Sequence, residues 1–284
     1  MEEAIKKADV LIEALPYIRQ FRDKIIVIKY GGSILGEERI RSGVLQDIVC
    51  LKLMGLRPVL VHGGGPNISE RMRSTGKKSD FVDGMRVTDE ETLVVVEEEL
   101  TKLNRLIVNE IKELGVEVCS LNGKDNGLII AEKKKAKIDL GLVGEVISVN
   151  SQIILQALKQ DKIPVILPMA CGLDKKTYNV NADEAAASIS AAVEAEKLVV
   201  LTNVKGIMRD PDDATSFISH LTKQLAERMI EEKVIQTGMI PKVRACIKAL
   251  EAGVKKTHMV DACIPHALLL EIFTDQGIGT EIVL

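Results

Sequence analysis

Four β-branched residues in succession, Ile25-Ile-Val-Ile28, run directly into Lys29, Tyr30 and the pair Gly31-Gly32. Such a run fits a strand buried on both faces, which requires a parallel sheet covered by helices on either side. Lys29 then stands at the strand's carboxyl end, where open α/β sheets bind their ligands. The two glycines lack Cβ atoms, so a charged oxygen can approach their backbone N–H groups. Residues 58–62 repeat the device: a second apolar strand runs into Gly63-Gly-Gly65, and a helix starts at Pro66 or Asn67, where proline fits the first turn. If the two turns are neighbours in a parallel sheet, they aim two sets of amide dipoles at one anion. Three consecutive glycines are entropically costly to order, and close anion approach explains them.

From residue 24 onward strand and helix patterns alternate. That predicts an α/β fold with an open, mainly parallel central sheet sandwiched by helices. Helices are expected over 39–54, 89–114, 151–161, 182–194, 222–232, 242–252 and 265–273. Strands are expected over 25–29, 58–62, 116–121, 128–131, 142–149, 163–167, 197–202, 257–260 and 280–284. The close-set strands between 116 and 149 suggest an antiparallel excursion from the parallel sheet. Thr88-Asp-Glu-Glu91 reads as a capping box. Asn150 and Asn181 read as N-caps, the second placing Asp183 in a first helical turn. Residues 77–88 are irregular, with Phe81-Val82 apolar enough to be buried. Residues 2–20 carry Ile5, Ala8, Ile12 and Leu15 at helical spacing, with Pro16 set to kink or break the helix. This N-terminal helix either packs on its own domain or forms an arm for oligomerisation. A modest boundary falls near 190–197, and one continuous sheet is free to cross it.

Composition narrows the function. A net charge of −3 offers no basic field to a polyanion, and Lys133-Lys-Lys135 reads as a solvated strand end or loop. Trp is absent and Tyr and Phe number three and four, which leaves no stacking platform for single-stranded nucleic acid. A nucleic-acid partner is therefore not expected. The acidic start, Met1-Glu-Glu-Ala4, lacks the blocks of a signal peptide, and no apolar run approaches the ~18 residues that span a bilayer. No membrane association is expected either. Five scattered cysteines without a C-x-x-C pair suit a reducing cytoplasm. Four histidines lack metal-ligand spacing, so no metal held by side chains is expected.

Four features suit one site: Lys29 with Gly31-Gly32, the Gly63-Gly-Gly65 turn, Asp183 at a helix start, and Lys242 after Gly238-Met-Ile-Pro. Taken singly they are ordinary, Asp183 being a dipole partner worth under ~1 kcal/mol and Lys242 a surface lysine. Taken together they supply what phosphoryl transfer needs, positive charge and amide dipoles around the equatorial oxygens of the transition state. A carboxylate between two lysines would hold both ammonium groups in place and keep them protonated. Neither a Walker motif nor G-x-G-x-x-G occurs at these turns. His62 reads as a structural residue at a strand end.

Five motifs, in order along essentially the whole chain, resemble the amino acid kinase family: Ile28-Lys-Tyr-Gly-Gly32, Val61-His-Gly-Gly-Gly-Pro66, Gly84-Met-Arg-Val-Thr88, Asn179-Val-Asn-Ala-Asp183 and Gly238-Met-Ile-Pro-Lys-Val243. The resemblance implies ATP-dependent phosphorylation of the side-chain carboxylate of N-acetyl-L-glutamate, in arginine biosynthesis, giving an acyl phosphate. By similarity, Lys29 and Lys242 stabilise the transferring phosphoryl group and Asp183 organises them. Backbone amides of Gly31, Gly32, Gly64 and Gly65 would hold the phosphoryl group and the attacking carboxylate. Arg86 and Asn179 would hold the rest of the acidic substrate. Residues 23–195 would form the acidic-substrate lobe and dimer interface. Residues 196–284, with Thr202, Asn203 and Gly206, would take ATP, with Mg²⁺ held mainly by phosphate oxygens. The chain departs from the family's usual Leu-Thr-Asp-Val at Asn203, and from its usual Asp-Gly-Arg at Asp261-Ala-Cys263.

The N-terminal helix (1–22) and the C-terminal segment 266–280 resemble the family's arginine-inhibited branch. That implies an arginine pocket including Tyr17, His266, Glu271 and Gly277, in which Glu271 would offer the carboxylate a guanidinium prefers. It also implies dimers, assembled as three into a hexamer through the N-terminal helices, and a docking nitrogen-signalling protein as in some relatives. Two alternatives compete: a related kinase acting on carrier-bound aminoadipate or glutamate, and a catalytically silent nucleotide or arginine sensor.

Overall fold

The β-branched run forms β1 (Ile25–Tyr30), with Ile26, Val27 and Ile28 fully buried. Alternate residues of a strand face opposite sides, and the two faces of β1 feed two cores. Val27, with Val59, Val61, Leu198 and Val200, packs against the alanine-rich helices near residues 185 and 245. Ile26 and Ile28, with Leu60, Val199 and Leu201, pack beneath three other helices.

The computed structural model describes residues 1, 5, 9, 12–210, 213–235, 238–274 and 277–284; Ala8 lies outside these. Residues 12 and 13 are helical, Ala14 is a turn, and α1 (Leu15–Phe21) begins anew with Pro16 in its first turn. After β1 come α2 (Glu38–Leu53), β2 (Arg57–His62), α3 (Gly65–Ser74), the short hairpin β3 (Phe81–Val82) and β4 (Met85–Arg86), and α4 (Glu90–Glu113). The chain continues through β5 (Val118–Asn122), β6 (Ile129–Lys133), β7 (Val143–Val149), α5 (Ser151–Lys159), β8 (Ile163–Leu167), β9 (Met169–Gly172), β10 (Thr177–Val180) and α6 (Ala182–Ala192). It then adds β11 (Lys197–Thr202), β12 (Ile207–Met208), β13 (Phe217–Ile218), β14 (His220–Thr222) and α7 (Lys223–Glu231). It ends with α8 (Ile240–Glu251), β15 (Lys256–Asp261), α9 (Ala267–Phe273) and β16 (Thr280–Val283).

Eight strands form the central sheet in the order β14-β16-β15-β11-β1-β2-β8-β5. Every pair from β15 to β5 is parallel, and β16 runs antiparallel to β15. The sheet crosses the boundary expected at 190–197, because β11 pairs with β1 in the register Ile26 to Lys197. The excursion after β5 is a small sheet closed on itself, β10-β7-β6-β9. Its strands β9 and β10 are absent from the sequence expectation, being only four residues each. Among the described residues, no helix is long and apolar enough to cross a membrane.

Three local expectations are corrected. The N-cap of α4 is Asp89, whose Oδ1 accepts from Thr92 N at 2.7 Å. Thr88 cannot cap, because its hydroxyl donates to Arg86 O and accepts from Asn179 Nδ2. Asn150 occupies the N-cap position of α5 without a capping side-chain hydrogen bond. Phe81 is 52% exposed rather than buried.

A buried polar cluster ties β2, β5, β8 and α4 together beneath the glycine turn. Asn104 Nδ2 donates to His62 Nε2 and to Val165 O, both at 3.1 Å, and its Oδ1 accepts from Ser120 Oγ at 2.5 Å. Asn104→Ala strands these buried partners and should lower the unfolding free energy by about 2 kcal/mol. Urea unfolding checks it; an unchanged midpoint would show that water replaces the amide freely.

Candidate active site

β1 and β2 are adjacent and parallel, with Lys29 beside Val61 and Tyr30 beside His62, so the two glycine turns meet. Gly63 N donates to Tyr30 O at 2.9 Å. Gly64 is the N-cap of α3 and offers no side chain there. A Cβ on Gly64 would sit 2.9 Å from the methyl ends of Leu100 and Leu103, so a side chain there would push the turn away from α4 or displace those leucines. The first amides of α3 are thereby presented at the carboxyl edge of the sheet, where the helix dipole favours an anion.

Asn181 caps α6, accepting from the amides of Asp183 and Glu184 at 2.8 and 3.2 Å. This aims Asp183 at the strand ends. Its Oδ1 lies 2.9 Å from Lys29 Nζ and its Oδ2 3.6 Å from Lys242 Nζ, all in a site where Asp183 and Lys29 are buried. Lys242 arrives from the first turn of α8 and also donates to Gly238 O at 3.3 Å. Burial pushes the Asp183 pKa up, but the two ammonium groups outweigh it and hold the carboxyl below the ordinary range. Burial and the nearby Lys29 lower the Lys242 pKa, and Asp183 opposes that shift.

A cavity of about 190 Å³ opens beside this pair, lined by Lys29, Gly32, Gly64, Gly65, Arg86, Asn179 and Asp183 among others. The expected substrate-side residues therefore come together. Arg86 is buried and engaged: its Nη atoms donate to Gly65 O, Ser69 Oγ and Ser79 Oγ, and its guanidinium lies 4.6 Å over the Phe81 ring. Asn179 Nδ2 donates to Thr88 Oγ1 at 3.1 Å. Phe81, whose apolar character suggested a core role, lines the cavity instead. His62 is structural, as expected: its Nδ1 bonds Gly63 O, and burial lowers its pKa to about 4. Among the described residues no group of three or more His, Cys, Asp or Glu is placed to hold a metal ion.

Thr202, Asn203 and Gly206 lie along the turn after β11. Thr202 Oγ1 is tied to Val204 through both its O and its N, Asn203 is exposed, and Gly206 packs against Thr280 and Phe217.

A second, polar cavity of about 180 Å³ lies at the amino ends of β11 and β15, against α1. Tyr17, Glu271 and Gly277 line it together with Phe21, Lys197 and His258. Glu271 Oε2 accepts from Ile278 N and Gly279 N, both at 2.8 Å, and His258 Nδ1 lies 2.5 Å from its Oε1. Burial raises the Glu271 pKa, but the imidazole and the two amides outweigh it. Lys197 has its pKa lowered by burial and lies 4.7 Å over the Phe21 ring. His266 does not line this cavity; it pairs with Asp47 of α2 at 2.7 Å. Lys197 and His258 were not singled out from the sequence, where only their strand positions would mark them.

An open parallel sheet with a cationic cleft at its carboxyl edge is the architecture of a small-molecule kinase. The chain belongs to the amino acid kinase family, whose pattern matches residues 24–261. It is 48% identical over 281 residues to the acetylglutamate kinase of Petrotoga mobilis, covering 99% of this chain and 94% of that one. It is equally similar, 48% over 287 residues, to the acetylglutamate kinase of Halothermothrix orenii, covering 100% and 99%. Among solved structures it superposes on N-acetylglutamate synthase from Neisseria gonorrhoeae complexed with coenzyme A and N-acetyl-glutamate. The TM-score is 0.87 at 26% identity, over 98% of this chain and 63% of the synthase chain. This chain thus spans less than two thirds of the synthase. Carbamate kinase from Giardia lamblia bound to AMP-PNP shares the fold, with a TM-score of 0.66 at 14% identity, over 92% of this chain and 98% of that one.

Asp183→Asn removes the charge that opposes the loss of the Lys242 proton. The alkaline limb of the pH profile of kcat/KM should therefore move to lower pH in that variant. An unmoved limb would separate the Lys242 proton from Asp183.

Proposed function

We propose that this chain transfers the γ-phosphoryl group of ATP to the side-chain carboxylate of N-acetyl-L-glutamate, in arginine biosynthesis. The observation that carries it is the buried Asp183 held between Lys29 and Lys242 at the meeting of two glycine turns, in a chain nearly half identical to acetylglutamate kinases over its full length. A carboxylate oxygen attacks the γ-phosphorus, the bond to the β-phosphate bridging oxygen breaks, and ADP leaves. The attacking carboxylate is already ionised, since glutamate's reference pKa is ~4.3, so no general base is required. The neutral, buried His62 agrees with that.

Lys29 and Lys242 hold the charge spread over the equatorial oxygens, and Asp183 fixes both ammonium groups. Backbone amides at Gly31, Gly32, Gly64 and Gly65 align the γ-phosphoryl group and the attacking carboxylate. Asn179 holds the acetamido end and Arg86 the α-carboxylate, which would displace the Ser69 and Ser79 hydroxyls and give the guanidinium a charged acceptor in place of neutral ones. In this reading residues 23–195 take the acidic substrate, and residues 196–284 take the nucleotide through Thr202, Asn203 and Gly206. Asp183 is engaged by ammonium groups, so Mg²⁺ would be held mainly by the nucleotide's phosphate oxygens and would supply charge neutralisation there.

We also assign the second cavity to arginine as inhibitor. Glu271, set in a small polar cavity against the N-terminal helix, supplies the anion that a guanidinium prefers, and the gonococcal synthase has also been solved with coenzyme A and L-arginine. Dimers joined as a hexamer through the N-terminal helix suit the exposed Ile5, Ile12 and Leu15.

Acyl phosphate trapped as the hydroxamate tests the reaction. Signal is expected with N-acetyl-L-glutamate and ATP; signal only with a carrier-linked acid would overturn the substrate. Lys242→Ala should cut turnover by ~10²-fold or more, as for loss of one oxyanion-hole donor, and wild-type turnover would remove it from the mechanism. Arginine should suppress the wild-type signal and leave Glu271→Gln largely active. Equal suppression of both would move the inhibitor elsewhere.

A further inference from the structure

Glu184 follows Asp183 in the first turn of α6 and repeats its arrangement one residue on. Its Oε2 lies 3.0 Å from Lys134 Nζ, just past β6, and its Oε1 3.7 Å from Lys248 Nζ on α8. Oε1 also accepts a hydrogen bond from Val146 N of β7 at 3.2 Å. Two consecutive carboxylates thus each join one lysine from the strand side to one lysine of α8: Lys29 and Lys242 at Asp183, Lys134 and Lys248 at Glu184. Lys134, read from the sequence as part of a solvated run, has a side chain only 19% exposed, and Glu184's is 14% exposed. The Lys134 half of the bridge is therefore the stronger one, since the Lys248 side chain is 49% exposed.

Pro241 of α8 packs against Gly84 of the β3–β4 hairpin, and beside this contact a cavity of about 690 Å³ lies between α8 and the Lys134–Glu145 region, with Glu184 and Lys248 on the lining. α6 and α8 share one buried cluster that includes Ala185, Ala186 and Ala187 of α6 and Ala245, Cys246 and Ala249 of α8. Packed helices can shift by small sliding motions. Lys242 is the more loosely held of the two site lysines, 3.6 Å from Asp183 against 2.9 Å for Lys29.

We propose that Glu184 is a positioning residue: by bridging β6–β7 to α8 it fixes where α8 sits along α6, and so sets the reach of Lys242 to the transferring phosphoryl group. This rests on the reading of Lys242 as a phosphoryl-stabilising group. Glu184→Gln keeps an acceptor for Val146 N and removes the charge. It should lower kcat about tenfold, within the ~10²-fold that a 1 Å misplacement can cost. The KM for N-acetyl-L-glutamate and the urea midpoint should stay near wild type. Adding Lys248→Met to Glu184→Gln should cost nothing further, whereas Lys248→Met alone slows the enzyme. Amide exchange over residues 240–251 should quicken in Glu184→Gln. That readout stands even if the wild-type chain phosphorylates none of the acids offered, so failure of the functional reading is distinguishable from failure of this one. Wild-type kcat and exchange in Glu184→Gln, additive losses in the double variant, or a loss that tracks a lowered urea midpoint would each overturn the proposal.

Discussion

The site depends on a buried carboxylate that is stable only because two ammonium groups face it. An isolated ionised group in the interior costs far more than a domain can offset, and it survives when paired and aligned. Asp183 meets that condition through residues far apart in sequence, Lys29 on the central strand and Lys242 on α8. Removing one partner of a buried pair typically costs about 3–5 kcal/mol. The triad therefore constrains the fold whatever chemistry it serves. The reverse holds as well, since without Asp183 two like charges would face one cleft with only solvent and substrate to separate them.

What lets such a triad form is the geometry of a parallel sheet. All strands from β15 to β5 point the same way, so their carboxyl ends and the helices that follow converge on one edge. The cleft collects three kinds of positive potential there: lysine ammonium groups, the Gly64–Gly65 helix start, and the guanidinium of Arg86. Its one carboxylate named above, Asp183, is engaged by Lys29 and Lys242, and His62 beside the turn is engaged by Gly63 O and Asn104.

Much of this was legible in the sequence because it is local. A β-branched run, a lysine, two glycines and an Asn N-cap announce their own conformations, and the strand and helix order follows from their alternation. What stayed hidden is what only the fold brings together. Glu184 looks like any first-turn acid until Lys134 is placed opposite it by β6 and Lys248 by α8. Phe81 looked like core, yet it carries a guanidinium on its face at the rim of the cleft. The capping box failed at Thr88 for a similar reason. Its hydroxyl is drawn to Asn179, ninety-one residues away, and Asp89 caps in its place. His266 joined the C-terminal signature by proximity in sequence, but its left-handed backbone at the start of α9 directs it to Asp47.

The two cavities sit at opposite ends of the same strands. Lys197 opens β11 beside the polar cavity, and its register partner Ile26 lies three residues before Lys29 on β1, about 10 Å along an extended chain. Those strands are buried on both faces and hydrogen-bonded on both edges, so they are poorly suited to carry a shape change. Coupling between sites requires an element with two arrangements that both sites bias. The polar cavity is bordered by α1 and by the Glu271 turn, whose carboxylate accepts from the amides of Ile278 and Gly279 just before β16. The triad in the cleft takes Lys242 from α8. On the proposed reading, arginine in the polar cavity would have to reach Lys242 through the helices and not through these strands.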